Sequence, residues 1–164
     1  MAKSLLIIGA GGHGHVVAEI ANACGYTYAF LDDNSPEAVG KLDQLQQLAT
    51  SFDAFFVAIG NGFTRQTLLE RLEDLQCVVP LLVHPTAYVA PSAKLGAGTV
   101  IAPGAVVNTR SKLGKGCIVS VGALIDHDAR IDDFVHINAG AVCKAGSRVG
   151  ALQRIDAGQV VEGF

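Results

Sequence analysis

Tryptophan is absent from the 164 residues, methionine occurs once and proline five times, and aromatics amount to only 6%. No stretch approaches the roughly 18 apolar residues that a membrane-spanning helix needs. The apolar run Leu5 to Ile8 ends in glycines and is too short for the core of a secretion signal. A basic excess is also missing: 12 Lys and Arg stand against 15 Asp and Glu, which removes the electrostatic footprint expected of a nucleic-acid binder. The four cysteines (Cys24, Cys77, Cys117, Cys143) form no CxxC pair, so they read as small buried thiols of a reducing, cytoplasmic protein rather than as disulfides or metal ligands. With 50% hydrophobic residues and a net charge of −3 the chain is no disordered segment. Nineteen glycines with so few prolines exclude a collagen-like composition too.

What is present divides into two grammars. Residues 1–82 hold 7 of the 10 aromatics, 12 of the 16 leucines and a charge of −5 (4 basic, 9 acidic). Residues 83–164 hold 11 of the 19 glycines and a charge of +2 (8 basic, 6 acidic). The first half alternates strand-like and helix-like segments. Leu5–Ile8, Tyr26–Leu31, Phe55–Ile59 and Val78–Val83 read as strands, and His15–Cys24, Lys41–Ala49 and Arg65–Leu75 as helices. That order predicts right-handed crossovers and a small parallel, Rossmann-like sheet.

The second half repeats. Stepping by six from Val83 through Val89, Leu95 and Ile101 to Val161 meets Val, Leu or Ile at 13 of 14 positions, the exception being Cys143. These types make up 22 of the 82 residues, so chance would supply about four matches. Two residues before each step the side chain is mostly small, as at Ala93, Thr99, Ala105, Ser111, Ala123 and Ala141. One obligatory aliphatic every six residues is the grammar of a hexapeptide β-helix. Each hexad makes a short strand and a turn, and coils of 18 residues stack as a parallel ladder, roughly four and a half turns over the 82 residues.

Gly9-x-Gly11-x-x-Gly14, between a strand and a helix and with Asp32 and Asp33 about 20 residues on, meets the context of a dinucleotide fingerprint. The physics is more general: glycines let backbone N–H groups and a helix N-terminus approach a phosphate. Four strands make one mononucleotide-binding unit, whereas a complete NAD fold wants two, and a UDP pyrophosphate satisfies the loop equally well.

A small α/β domain opening with Gly9-Ala10-Gly11-Gly12-His13-Gly14 continues through Phe30-Leu31-Asp32-Asp33, then Ala58-Ile59-Gly60-Asn61 with Arg65. Hexads follow that carry Ile125-Asp126-His127-Asp128 and Phe134-Val135-His136. In this order the motifs resemble the NeuD/PglD-like nucleotide-sugar acetyltransferases of the left-handed β-helix superfamily. These act on UDP-4-amino-sugars and related sugars and include sialic-acid O-acetyltransferase relatives. The resemblance covers nearly the whole chain. It implies a nucleotide-sugar-binding domain over 1–82, an acyltransferase left-handed β-helix over 83–164, a homotrimer with sites between neighbouring β-helices, acetyl-CoA as co-substrate without a metal, and a place in glycan biosynthesis.

His127 occupies a turn position where most hexads place Ala, Gly, Pro or Thr. Acyl transfer to an amine needs a neutral amine that loses a proton as it attacks, and an imidazole suits that work. The resemblance puts the base at His127 and an orienting carboxylate at Asp128, with Asp126 a second candidate. It puts His136 near acetyl-CoA at a subunit interface. The turns around Gly122 and Gly140 are candidates for cofactor contact and for the N–H that receives the oxyanion. In the first domain it implies substrate contacts from Gly9, Gly11, Gly12, His13, Gly14, Asp32, Asp33 and Asn61, and from Arg65 as a phosphate partner, unless Arg65 is a helix-surface arginine. His15 reads as a surface side chain. Three departures stand out: Ser120 where the family often has an amide, Gln153 and Gln159 at corners, and a C-terminus expected to be short where much of the CoA contact usually forms.

Three alternatives stay open. The first is O-acetylation of a sugar hydroxyl. The second is a non-catalytic nucleotide-sugar-binding protein with an incomplete CoA site. A γ-class carbonic anhydrase is third, but it needs two histidines about five apart plus a third, and His127 and His136 are nine apart.

Overall fold

Strand β1 (Lys3–Ile8) is the centre of the first of two units, which in this computed structural model describing residues 2–164 divide between Pro80 and Leu81. Leu5 to Ile8 are completely buried, as a central parallel strand covered on both faces requires. Helix α1 (Gly12–Ala23), β2 (Tyr26–Leu31), a 3-10 turn (Leu42–Gln44) running into α2 (Leu45–Leu48), β3 (Ala54–Val57) and α3 (Gly62–Asp74) follow. The sheet is parallel, in the order β2-β1-β3. Its register pairs Ile8 with Leu31 on one side and Val57 on the other, so all three strands end level. Gly9, Asp32 and Ala58 therefore leave the sheet side by side at its carboxyl edge. Loops from an open α/β sheet meet a ligand at that edge.

The expected fourth strand over Val78–Val83 does not form. Val78 O accepts one bond from Phe55 N (2.9 Å). Pro80 has no N–H to continue a ladder, and Leu82–Val83 opens the second unit instead. The expected helix over 41–49 is a single 3-10 turn and a four-residue α-turn.

Fourteen two-residue strands, β4 to β17, make up the second unit. One sheet holds β4 (Leu82–Val83), β7 (Val100–Ile101), β10 (Ile118–Val119), β13 (His136–Ile137) and β16 (Arg154–Ile155). A second holds β5 (Tyr88–Val89), β8 (Val106–Val107), β11 (Leu124–Ile125), β14 (Val142–Cys143) and β17 (Val160–Val161). The third holds β6 (Lys94–Leu95), β9 (Lys112–Leu113), β12 (Arg130–Ile131) and β15 (Arg148–Val149). Every strand pairs in parallel with the one three places on, for instance Ile125 with Val107 and Cys143, so one coil is 18 residues. This is the left-handed parallel β-helix that the hexads predict.

Each hexad aliphatic is the second residue of its strand, and the residues from Ile101 to Ile155 in this series are buried. Ala105, Cys117, Ala123, Ala129 and Ala141 fill the corners with no exposure at all, where a larger side chain would have no room. A positive φ recurs every six residues from Gly98 to Gly158. Seven of these turns use glycine, which enters the left-handed region without strain. Arg110, Asp128, Phe134 and Leu152 occupy the other four.

Candidate active site

Positions 18 apart in the sequence stack in the β-helix, and this arithmetic assembles the surroundings of His127. His127 sits in the turn after β11. Its Nδ1 lies 2.8 Å from Asp128 Oδ2. Asp128 in turn receives a two-pronged contact from Arg110, one coil below: Nε to Oδ1 at 2.8 Å and Nη2 to Oδ2 at 2.7 Å. The Arg110 and His127 contacts hold the Asp128 carboxyl far below the ordinary carboxylate range. An ionised Asp128 only accepts, so Nδ1 of His127 carries the proton and Nε2 keeps its lone pair. Among the described residues none bonds Nε2, and 46% of the side chain is open to solvent.

Asp126 shapes the same turn. Its Oδ1 accepts from the His127 backbone N–H (2.7 Å) and from Asn108 Nδ2 (3.0 Å), and these bonds lower its pKa. Its own carbonyl accepts from Ser111 Oγ at 2.6 Å. Arg130 Nη1 gathers the carbonyls of Arg110, Asp128 and Ala129 at 3.0–3.1 Å, tying two successive turns together. Asn108, Arg110, Ser111 and Arg130 escaped sequence reasoning, although 126 − 18 = 108 and 128 − 18 = 110. The amide below the histidine turn is Asn108, while Ser120 has another partner.

That partner is His136, whose Nε2 lies 3.1 Å from Ser120 Oγ. His136 is the first residue of β13, in a different sheet from β11. In the turns around Gly122 and Gly140, these two glycines themselves have no N–H to spare for an oxyanion. Their N–H groups already bond the Pro103 and Val121 carbonyls of the coil below, at 3.2 and 3.1 Å. Gly140 still presents an open turn, where an added Cβ would meet nothing within 4 Å.

In the first unit, Gly9 and Gly14 are glycine for internal reasons. A Cβ on Gly14 would run into the Gly9 carbonyl, and Gly9 has φ +104° beside the Ala58 carbonyl. Gly11 and Gly12 differ, because a Cβ on either would meet only open space. They begin a 12-residue helix with no side-chain cap and no acid in its first turn, an arrangement that favours an anion. His13 is the second residue of α1. Burial, followed by the charge of Arg65, lowers its pKa to about 4, so its imidazole is neutral near pH 7.

The remaining candidates brace the loops. Asp32 Oδ2 accepts from Ala10 N (2.9 Å), and its Oδ1 accepts from Asn34 N and Ser35 N. Asp33 Oδ1 accepts from Leu42 N at 2.8 Å. Asn61 caps α3 by accepting from Thr64 N at 3.0 Å. Arg65 is neither an exposed phosphate partner nor a helix-surface residue. It is 1% exposed, and its Nη1 donates to the Ile59 and Gly60 carbonyls at 2.8 and 2.9 Å. A cleft of about 650 Å³ opens beside these loops, lined by Asp32, Asp33, Gly40, Lys41 and Gln44 among others. His15 is exposed as expected, 3.8 Å from Glu37 Oε2.

Residues 4–72 match the PglD N-terminal domain family. The acetyltransferase domain of PglB from Neisseria gonorrhoeae FA1090, solved with acetyl coenzyme A, superposes with a TM-score of 0.92 and 39% identity over 98% of this chain and 82% of that one. The chain belongs to the PglD-like family of nucleotide-sugar acetyltransferases. A second member, a histidine-to-alanine variant of the GDP-perosamine N-acetyltransferase from Caulobacter crescentus with CoA and GDP-perosamine, matches with a TM-score of 0.87, 30% identity, and 98% and 89% coverage. The UDP-N-acetylbacillosamine N-acetyltransferase of Bacillus subtilis (strain 168) is 37% identical over 114 residues, 60% of this chain and 51% of that protein. The chain thus spans about half the length of that curated relative.

Proposed function

We propose that this protein transfers the acetyl group of acetyl-CoA to the amino group of a sugar carried on a nucleotide, with His127 as general base and Asp128 as its orienting carboxylate. The carrying observation is the His127 Nδ1–Asp128 contact at 2.8 Å, which leaves Nε2 as the proton acceptor. The amine nitrogen attacks the thioester carbonyl while His127 Nε2 takes its proton. The tetrahedral intermediate then expels the CoA thiolate, which receives that proton, and the products are the amide and free CoA. The three relatives named above are N-acetyltransferases or an acetyltransferase domain, two of them named for nucleotide-linked amino sugars, which favours an amine acceptor over a hydroxyl.

The first unit holds the nucleotide sugar in this reading. Gly11, Gly12 and the α1 N-terminus receive a phosphate, and neutral His13 offers a hydrogen bond. Asp32, Asp33, Asn61 and Arg65 hold the surrounding loops in shape. His136 and the open Gly140 turn belong to the acetyl-CoA side. In this reading the protein is a homotrimer, with His136 of one copy facing the His127 turn of its neighbour. Its support is the ladder of first residues along the second sheet, Tyr88, Val106, Leu124, Val142 and Val160, every one apolar and three of them 43–54% exposed. The matching ladder on the third sheet is Lys94, Lys112, Arg130 and Arg148. Acetyl-CoA and four free thiols both suit a reducing, cytoplasmic setting.

Thiol release from acetyl-CoA, followed against a panel of UDP- and GDP-linked amino sugars, tests the reading. Turnover of at least one amino sugar and none of its hydroxyl counterpart is expected. Turnover of hydroxyl sugars alone would replace the amine by a hydroxyl acceptor, and absence of both turnover and CoA binding would overturn the acetyltransferase assignment.

A further inference from the structure

The hexad turns place a left-handed residue at every sixth position, and Arg110 and Asp128 fill two of these sites one coil apart with φ +58° and +61°. A non-glycine residue there costs on the order of 1 kcal/mol, so an unneeded side chain would be easier to replace by glycine, as seven other turns do. The side chains that carry this strain meet each other in the paired geometry of a guanidinium and a carboxylate. Phe134 and Leu152, the other two exceptions, also stack one coil apart, as an apolar pair. Strain of this kind points toward a use for the side chains.

We infer that Arg110 is a positioning residue for the His127–Asp128 pair. It locks Asp128 in the orientation that holds His127 Nδ1, and it offsets the negative charge beside the imidazole. The inference rests on the reading of His127 as the base. Asp128 Oδ2 is shared between Arg110 Nη2 and His127 Nδ1, at 2.7 and 2.8 Å. An unopposed carboxylate at that distance stabilises the imidazolium, and a cation on the same oxygen counters it.

The other charged groups around the turn are already committed. Asp126 accepts from the His127 backbone and Asn108. Arg130 donates to three backbone carbonyls. In the coil above, at the position stacked over Asp126, Lys144 is paired with Glu162 at 2.7–2.8 Å. Arg110 is the cation placed on Asp128 itself.

Arg110→Gly is the variant of choice, because glycine suits the left-handed turn and the coil is expected to fold. The imidazole resonances of the five histidines are titrated by NMR in the full chain, with His127 assigned through His127→Ala. The His127 midpoint is expected to rise in Arg110→Gly, a charge effect moderated by solvent. It is expected to move much less in Arg110→Lys, which keeps the charge without the fork. With acetyl-CoA and a UDP-4-amino-sugar, the acid limb of kcat/KM moves up by the same amount in Arg110→Gly. An unchanged midpoint overturns the inference, as does a raised KM with an unmoved acid limb, which would make Arg110 a ligand contact instead. The base reading fails separately: His127→Ala would then keep its activity, whatever the NMR midpoint does.

Discussion

Truncating Ile125 to alanine probes how rigidly the β-helix seats its catalytic turn. Ile125 has no exposed surface and lies directly before Asp126-His127-Asp128. Its strand is paired to Val107 below and Cys143 above. The change removes three carbons, worth about 2.4 kcal/mol at roughly 0.8 kcal/mol per methylene. The ladders hold the coils about 4.8 Å apart, so the walls collapse poorly and a cavity term raises the loss to about 3–4 kcal/mol. Val161→Ala, in the last strand and only half-buried, makes the comparison and is expected to cost about 1 kcal/mol. Urea unfolding followed by far-UV circular dichroism at fixed protein concentration reads both, with the slope unchanged. A loss below about 1.5 kcal/mol at Ile125, or one no larger than that at Val161, would refute the claim that the hexad aliphatics form one close-packed interior.

Four further outcomes follow from the geometry. Arg65→Met strands the Ile59 and Gly60 carbonyls and is expected to cost about 2–3 kcal/mol; isothermal titration should show nucleotide-sugar affinity falling while acetyl-CoA affinity holds. Gly14→Ala forces the glycine loop apart and should destabilise the first unit strongly, whereas Gly11→Ala, at the N-cap of α1, should cost far less and mainly weaken nucleotide-sugar binding. His13, with its pKa lowered to about 4 in the folded chain, takes up a proton near pH 6.5 only when unfolded. Stability therefore falls as pH drops from about 6.5 to 4, and His13→Gln should flatten that part of a stability–pH curve. Leu124→Glu places a charge in the apolar ladder of the second sheet, and sedimentation velocity is expected to show the proposed trimer for the wild type and monomer for the variant.

The β-helix was the most legible part of the chain, because its period is enforced by an interior with room for one aliphatic and one small residue per hexad. The three strands that pair in the first unit were equally plain as apolar runs. Val78–Val83 misled because its apolar residues straddle two units, with Pro80 between them. His127 stood out as a polar residue in a turn that usually holds small ones. Arg110 and Asn108 did not, because each looks ordinary in its own hexad and acquires meaning only beside the residue 18 positions on. Arg65 was misplaced for a related reason: a helix pattern shows which face a residue occupies, but not that two carbonyls wait beneath it for a guanidinium.

The central claim is that one imidazole, held by a carboxylate, removes the proton from an amine as it takes the acetyl group. Thiol release from acetyl-CoA with a UDP-4-amino-sugar, comparing wild type with a folded His127→Ala variant, addresses it most directly. General base catalysis contributes about 10²–10⁴-fold, so a fall in kcat of at least a hundredfold is predicted, with acetyl-CoA and nucleotide-sugar binding retained. Turnover within a few-fold of wild type would contradict the account.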